Sequence, residues 1–595
     1  MPKLLCCLPL AALLITASPA TFAAHPRHTS QLTPSQRLHA LFDAEWERRL
    51  REDPQLASQL GDHRYDDRWG DVSLAAQQRH NDEDQAALKA VRAIPQKSLS
   101  ETDRLDAELF QQQLEDRLQS YHFHEYLRPV DHIYGLQSAQ GIVELLPFET
   151  VQDYRNWIAR LHGFGEYTDE TIALMREGIA EKQVKPRAIM ALVSAQIAAQ
   201  IVEHPQDSPF YAPFRKFPDS LTAEQQQQLR AAGAEEIAKV VVPAFRRFQA
   251  FFNIEYLPAC QDSIAVTALP DGEAYYAYLI RHHTTTGLTP QQIHQIGLDE
   301  VKRIRGEMDA IIQQVGFKGS FEEFSTYLRS DPQFYYKDPQ ALLTAYQALA
   351  KRIDGELPRL FDKLPRLPYG VRPIPDESAP YQTTAYYQPG SADGLRAGFY
   401  YVNLYKPETR PKWEMEALTA HEAVPGHHLQ IALAQELKDL PDFRKFGDGY
   451  TAFHEGWALY AESLGDQLGL YRDPYSKYGQ LAFEMWRACR LVVDTGMHAM
   501  GWSREQAIDY MVQNTPRARH DLEVEVDRYI AWPGQALAYK IGQMKITALR
   551  DKAKAALGDR FDIRAFHDVV LGDGDIPLDV LEREVDAWIE QSRKP

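Results

Sequence analysis

His421-Glu422-Ala423-Val424-Pro425-Gly426-His427-His428 is the stretch that decides how this 595-residue chain is read. Apolar spacing around it predicts a helix over 412–439, but Pro425 stands four residues after His421, where a straight helix returns to the same face. On an undistorted helix His427 points away from His421, and His428 regains its face about 10.5 Å farther along the axis. A bulge or bend at Pro425-Gly426 would absorb two residues and set His427 beside His421. The reverse assignment, with His428 inside and His427 outside, stays open.

Working outward, His454-Glu455-Gly456-Trp457-Ala458-Leu459-Tyr460-Ala461-Glu462 falls on a second expected helix, over 451–468. Two imidazoles and one carboxylate, with a position left for water, make the donor set of a catalytic zinc site. His421, His427 and Glu455 are therefore the expected metal ligands, and Zn2+ the expected ion. Glu462 lies seven residues after Glu455 on the same helical face and is expected to orient a ligand, while His454 is a weaker candidate for coordination. Glu422 is the expected general base, taking a proton from the attacking water and returning it toward a leaving amine. Without a metal, His421 and Glu422 would be a polar patch on a helix.

Farther along, Arg487 and Arg490 can share a face, and either suits a substrate carboxylate. Asp494 and His498 are one helical step apart. His498 is expected in the active site, against a purely structural role. Arg528, Tyr529, Pro533-Gly534-Gln535 and Tyr539 supply a second wall. Tyr529 is the expected oxyanion donor and Tyr539 the second choice, against a core role for both.

These segments together resemble the bacterial DUF885 family, whose members carry His-Glu-x-x-Pro-Gly-His-His and Glu-Gly-Trp-Ala-Leu-Tyr-Ala-Glu motifs, here residues 421–428 and 455–462. The resemblance continues through 490–498 and 528–539, with the sharpest motifs inside 396–542. It implies a mainly helical, peptidase-like metallohydrolase and leaves the physiological substrate unassigned.

The formal charge is 65 minus 83, or -18, and no Lys/Arg-rich run offsets it, which argues against a nucleic-acid partner. Residues 1–24 read as a signal peptide: Lys3, then the apolar run Leu4–Ala17, then small residues to Ala23-Ala24. A periplasmic or secreted location is expected after cleavage. Cys6 or Cys7 as a lipid anchor lies early for that role. No later run is long enough to span a membrane. Cys260 and Cys489 would remain, either paired or as buried thiols.

The helical pattern recurs at 35–60 with an interruption at Pro54, and at 73–92, 102–122, 151–175, 183–202, 222–257, 289–315, 475–500 and 503–513. Thr222 and Gln225 form a capping signature. Gly398–Tyr405 is the best strand, either structural or able to offer its backbone to an extended peptide. Tyr275, Tyr276 and Tyr278 suit a cleft wall or an ordinary core. The expected fold is mainly α, a large helical zincin-like metallohydrolase with a small β element beside the active-site helix. Residues 25–360 form a helical scaffold region and 361–595 the metal-binding region, integrated into one unit.

The expected function is an exported zinc-dependent peptidase acting on short peptides. The rivals are a metal-dependent amidase or esterase with a non-peptide substrate, and an inactive helical binding protein. No Gly-x-Ser-x-Gly elbow or cysteine with a neighbouring base favours nucleophilic catalysis.

Overall fold

Helix starts follow local chemistry. Thr222 accepts a hydrogen bond from the Gln225 N–H, and the Gln225 side chain accepts from the Thr222 N–H, so the expected capping box opens the helix Ala223–Glu236. Asp53 accepts from the Leu56 N–H and Pro54 starts a new helix, which splits the first helical pattern into Pro34–Glu52 and Pro54–Leu60. The structure is a computed structural model that describes residues 32–376, 379, 382–391 and 394–594. The expected signal peptide, with Cys6 and Cys7, lies outside the described residues.

The chain is predominantly helical with one small mixed sheet. The pattern over 222–257 resolves into helical pieces joined by widened turns at Ile237–Val241 and Phe252–Tyr256. Each widened turn is followed two residues on by a proline, Pro243 and Pro258, which lacks the N–H that a regular turn needs. The expected 412–439 helix is also broken, into Met415–Glu422 and His427–Glu436. Helices at Phe321–Ser330, Pro339–Asp354, Arg519–Ala531, Ala538–Leu557, Ile563–Gly572 and Leu578–Arg593 add to those expected.

In the sheet, β1 (Tyr369–Pro373) pairs parallel to β3 (Gly398–Val402), and β2 (Ala385–Gln388) pairs antiparallel to β3. The expected strand is thus the middle one. Neighbours occupy both of its edges, so β3 has no free backbone edge to offer a peptide.

The core draws on both halves of the chain. One cluster joins Trp157, Phe164 and Phe245 to Tyr478 and Met485; another joins Tyr276 and Tyr346 to Trp457 and Tyr460. Tyr275, Tyr276 and Tyr278 all belong to the second cluster. The Glu455-bearing helix Thr451–Ser463 meets Ala538–Leu557 backbone to backbone. A Cβ on Gly456 would come within 2.5 Å of the Gly542 Cα, and one on Gly542 within 1.9 Å of the Ala452 carbonyl oxygen. Cys260 and Cys489 are both free and buried. Among the described residues, no helix is long and apolar enough to cross a membrane.

Candidate metal centre

The helix carrying His421 stops at Glu422 because Ala423 leaves helical geometry (φ -102, ψ -103) and Pro425 cannot continue the ladder. The Val424-Pro425 peptide is cis. Gly426 then lets the chain fold back over the last turn: a Cβ there would lie 1.9 Å from the His421 carbonyl oxygen. The His428 N–H bonds to the Ala423 carbonyl at 3.1 Å, one residue farther back than in a regular helix. The Trp457 indole donates to the Pro425 carbonyl at 2.8 Å and pins this turn to the Glu455 helix.

The result is a convergence of His421, His427 and Glu455, with one ligand atom from each lying within 4.8 Å of the others. Glu455 Oε2 lies 3.5 Å from His421 Nε2 and 3.6 Å from His427 Nε2. A tetrahedral zinc with bonds of about 2.0–2.1 Å spaces its ligand atoms by roughly 3.4 Å, so both spacings from Glu455 fit. Glu455 Oε2 is buried and has no hydrogen-bond partner, a costly state for a carboxylate that a cation would relieve. The electrostatics agree. Burial alone would depress the His421 pKa, but the carboxylates of Glu455 and Glu462 override it and push it up to about 9. Burial would raise Glu455, yet the two imidazoles hold it well below the usual carboxylate range.

Around the cluster, Glu462 is fully buried and its Oε1 lies 2.8 Å from His421 Nδ1, which directs the other ring nitrogen toward Glu455. Glu422 is half-buried, and among the described residues no hydrogen bond or ion pair ties its carboxylate. His454, next to Glu455, has its Nδ1 3.1 Å from Asp575 Oδ2, and its ring centre is 6.4 Å from that of His427.

His428 turns to the sheet. Its Nδ1 is 2.8 Å from the Tyr387 hydroxyl of β2, its ring lies 4.6 Å from that of Tyr369 on β1, and burial pushes its pKa down to about 4.

His498 stands outside the cluster, fully buried. Its Nδ1 accepts from the Val266 N–H and its Nε2 donates to the Tyr529 carbonyl, both at 3.1 Å, so neither nitrogen is left for a substrate. Asp494 accepts from the Tyr276 hydroxyl at 2.6 Å and from the Gly534 N–H. The Tyr529 hydroxyl is also committed: it donates to Glu525 at 2.8 Å and accepts from Trp486 and Arg490. Tyr539 is only partly buried, its hydroxyl meets Gln535 at 3.4 Å, and burial and then the nearby charge of Glu455 raise its pKa. Two surface cavities, of about 400 and 170 Å³, are lined by residues such as Tyr121 in the first and Arg48 and Phe443 in the second, and share no residue with the metal cluster.

Fold and site together define a mainly helical protein with a His/His/Glu cluster able to coordinate a metal ion. The chain belongs to the family described as "Bacterial protein of unknown function (DUF885)", whose model matches residues 54–585. It is similar in structure to the "putative lipoprotein" from Colwellia psychrerythraea, with a TM-score of 0.89 and 30% identity, over 94% of this chain and 100% of that one. It shares its fold with a "putative lipoprotein of unknown function" from Shewanella oneidensis, at TM-score 0.70 and 18% identity, over 93% of this chain and 99% of that one. No curated protein matches the chain significantly.

Proposed function

We propose that the protein is an exported zinc-dependent peptidase that hydrolyses short peptides. The observation that carries this reading is the convergence of His421, His427 and Glu455, with the half-buried Glu422 one residue along the chain from His421. Zinc, when bound, supplies Lewis acidity that polarises a carbonyl and makes water a competent nucleophile near neutral pH. His421, His427 and Glu455 would hold it, and Glu462 fixes the tautomer of His421. Glu422 accepts a proton from water as the carbonyl is attacked and delivers it to the departing nitrogen. Tyr539, whose hydroxyl is less committed than that of Tyr529, is the donor this reading assigns to a developing oxyanion. His498 and Tyr529 support the wall behind it: the His498 ring holds the Tyr529 backbone, and the Tyr529 hydroxyl holds Arg490. Export is supported by the expected signal peptide and by the Colwellia psychrerythraea relative, described as a putative lipoprotein.

The test is turnover of peptide, amide and ester panels by protein loaded with zinc. Glu422→Gln is expected to keep one zinc per chain and to lose roughly 10²–10⁴-fold in peptide hydrolysis. Ester or non-peptide amide turnover without peptide cleavage would replace this reading with the broader hydrolase one.

A further inference from the structure

In a chain of formal charge -18, four guanidiniums, Arg487, Arg490, Arg517 and Arg528, gather beside the metal cluster. Two contacts tie the group to that cluster. Arg487 Nη2 is 3.8 Å from Glu462 Oε1, the same oxygen that meets the His421 ring. Arg490 lies 4.5 Å from the ring centre of Tyr539, whose phenol feels the charge of Glu455. Trp486 sits among them, with Arg517 at 3.8 Å and Arg490 at 4.5 Å from its ring centre.

The four guanidiniums form ion pairs with three carboxylates: Arg487 with Glu462, Arg517 with Glu414 at 3.6 Å, and Arg490 and Arg528 both with Glu525. Glu462 and Glu525 are also engaged by His421 and Tyr529. Two donors of nearly inaccessible side chains, Arg487 Nε and Arg490 Nη1, are buried without a partner. Crowded like charges held from water are costly unless another anion joins them, and guanidinium forks match a carboxylate.

We propose that this cluster is the subsite for the free α-carboxylate of a peptide's C-terminal residue, so that the protein removes residues from the C-terminal end. This rests on the peptidase reading above. Hydrolysis then breaks the last amide C–N bond: the hydroxyl of water goes to the acyl carbon, and its remaining proton to the nitrogen of the released amino acid.

The zinc-loaded protein is tested on acetyl-Ala-Phe and on the same peptide with a C-terminal amide. The free acid is expected to have a kcat/KM roughly 10- to 100-fold higher, the scale of hydrogen bonds to a charged group. Arg517, in the loop between the helices Arg504–Asn514 and Arg519–Ala531, is the variant least entangled with the fold. Arg517→Met should bring the acid-to-amide ratio toward one. Equal turnover of acid and amide by the unmodified protein overturns the subsite and leaves the peptidase reading standing. Should neither peptide be cleaved, calorimetry with acetyl-Phe and its amide decides. Tighter binding of the acid that Arg517→Met abolishes supports the subsite although the peptidase reading fails, whereas equal binding overturns it.

Discussion

Glu462 contributes no atom to the ligand triangle, yet the aim of the His421 ring depends on it. Glu462→Gln keeps the volume and removes the charge that strengthens the imidazole as a donor. Zinc affinity should fall about 10- to 100-fold, read by competition with a chelator. The paired histidines separate as sharply. His427→Ala should abolish stoichiometric zinc, while His428→Gln should retain it and lose about 1–2 kcal/mol of stability with the Tyr387 bond. Zinc retained in the first variant and lost in the second would reinstate the reverse assignment. At this scale the donor types and the Pro-Gly interruption were readable in the sequence. The state of the buried polar groups was not. His498 and Tyr529 are held in part by groups far off in the chain, Val266 at 232 residues from His498 and Trp486 at 43 from Tyr529. Spacing along one helix cannot reveal such partners.

At the scale of elements, the turn between the two histidine helices depends on the missing side chain of Gly426. Gly426→Ala would drive a methyl into the His421 carbonyl, with only backbone to give way. A loss of about 3 kcal/mol or more is expected in the denaturant midpoint, together with the zinc site. A second element, the helix Ile563–Gly572, is anchored by His567, whose Nδ1 donates to the Leu360 carbonyl and whose Nε2 accepts from the Tyr460 hydroxyl. Burial pushes its pKa from 6.5 down to about 4. Because the folded value lies below the unfolded one, the unfolded chain takes up the proton first. The stability that His567 contributes is therefore complete above about pH 6.5 and lost as pH falls toward 4, by about 3 kcal/mol. His567→Gln should flatten the pH dependence of stability across that window; an unchanged slope would mean the ring titrates normally. Long helices such as Pro474–Ala499 were legible from apolar period and caps. β1 and β2 were not: β1 (Tyr-Gly-Val-Arg-Pro) carries a glycine and ends in proline, and β2 has four residues, so neither shows the aromatic and β-branched run of β3, and pairing with β3 defines both.

Across the whole molecule, the three ligands come from three helices, Met415–Glu422, His427–Glu436 and Thr451–Ser463. A bound cation therefore links segments that unfolding would separate. Zinc at 100 times its dissociation constant should add about 2.7 kcal/mol to stability, measured as a shift in thermal unfolding that Glu455→Ala removes. No shift in the unmodified protein would argue that the triangle does not hold zinc. The mainly helical class could be read from the sequence because each amphipathic segment reports its own burial. How those segments share a core could not, since contacts such as that of Trp457 with Phe361 join residues with no common local pattern.

The crossing of Gly456 and Gly542 has a mechanical corollary. Their backbones touch, so Glu455 and Tyr539, each within a few residues of the crossing, sit on one stiff wedge that cannot splay without losing its seam. Any widening that admits a substrate must then leave this seam closed.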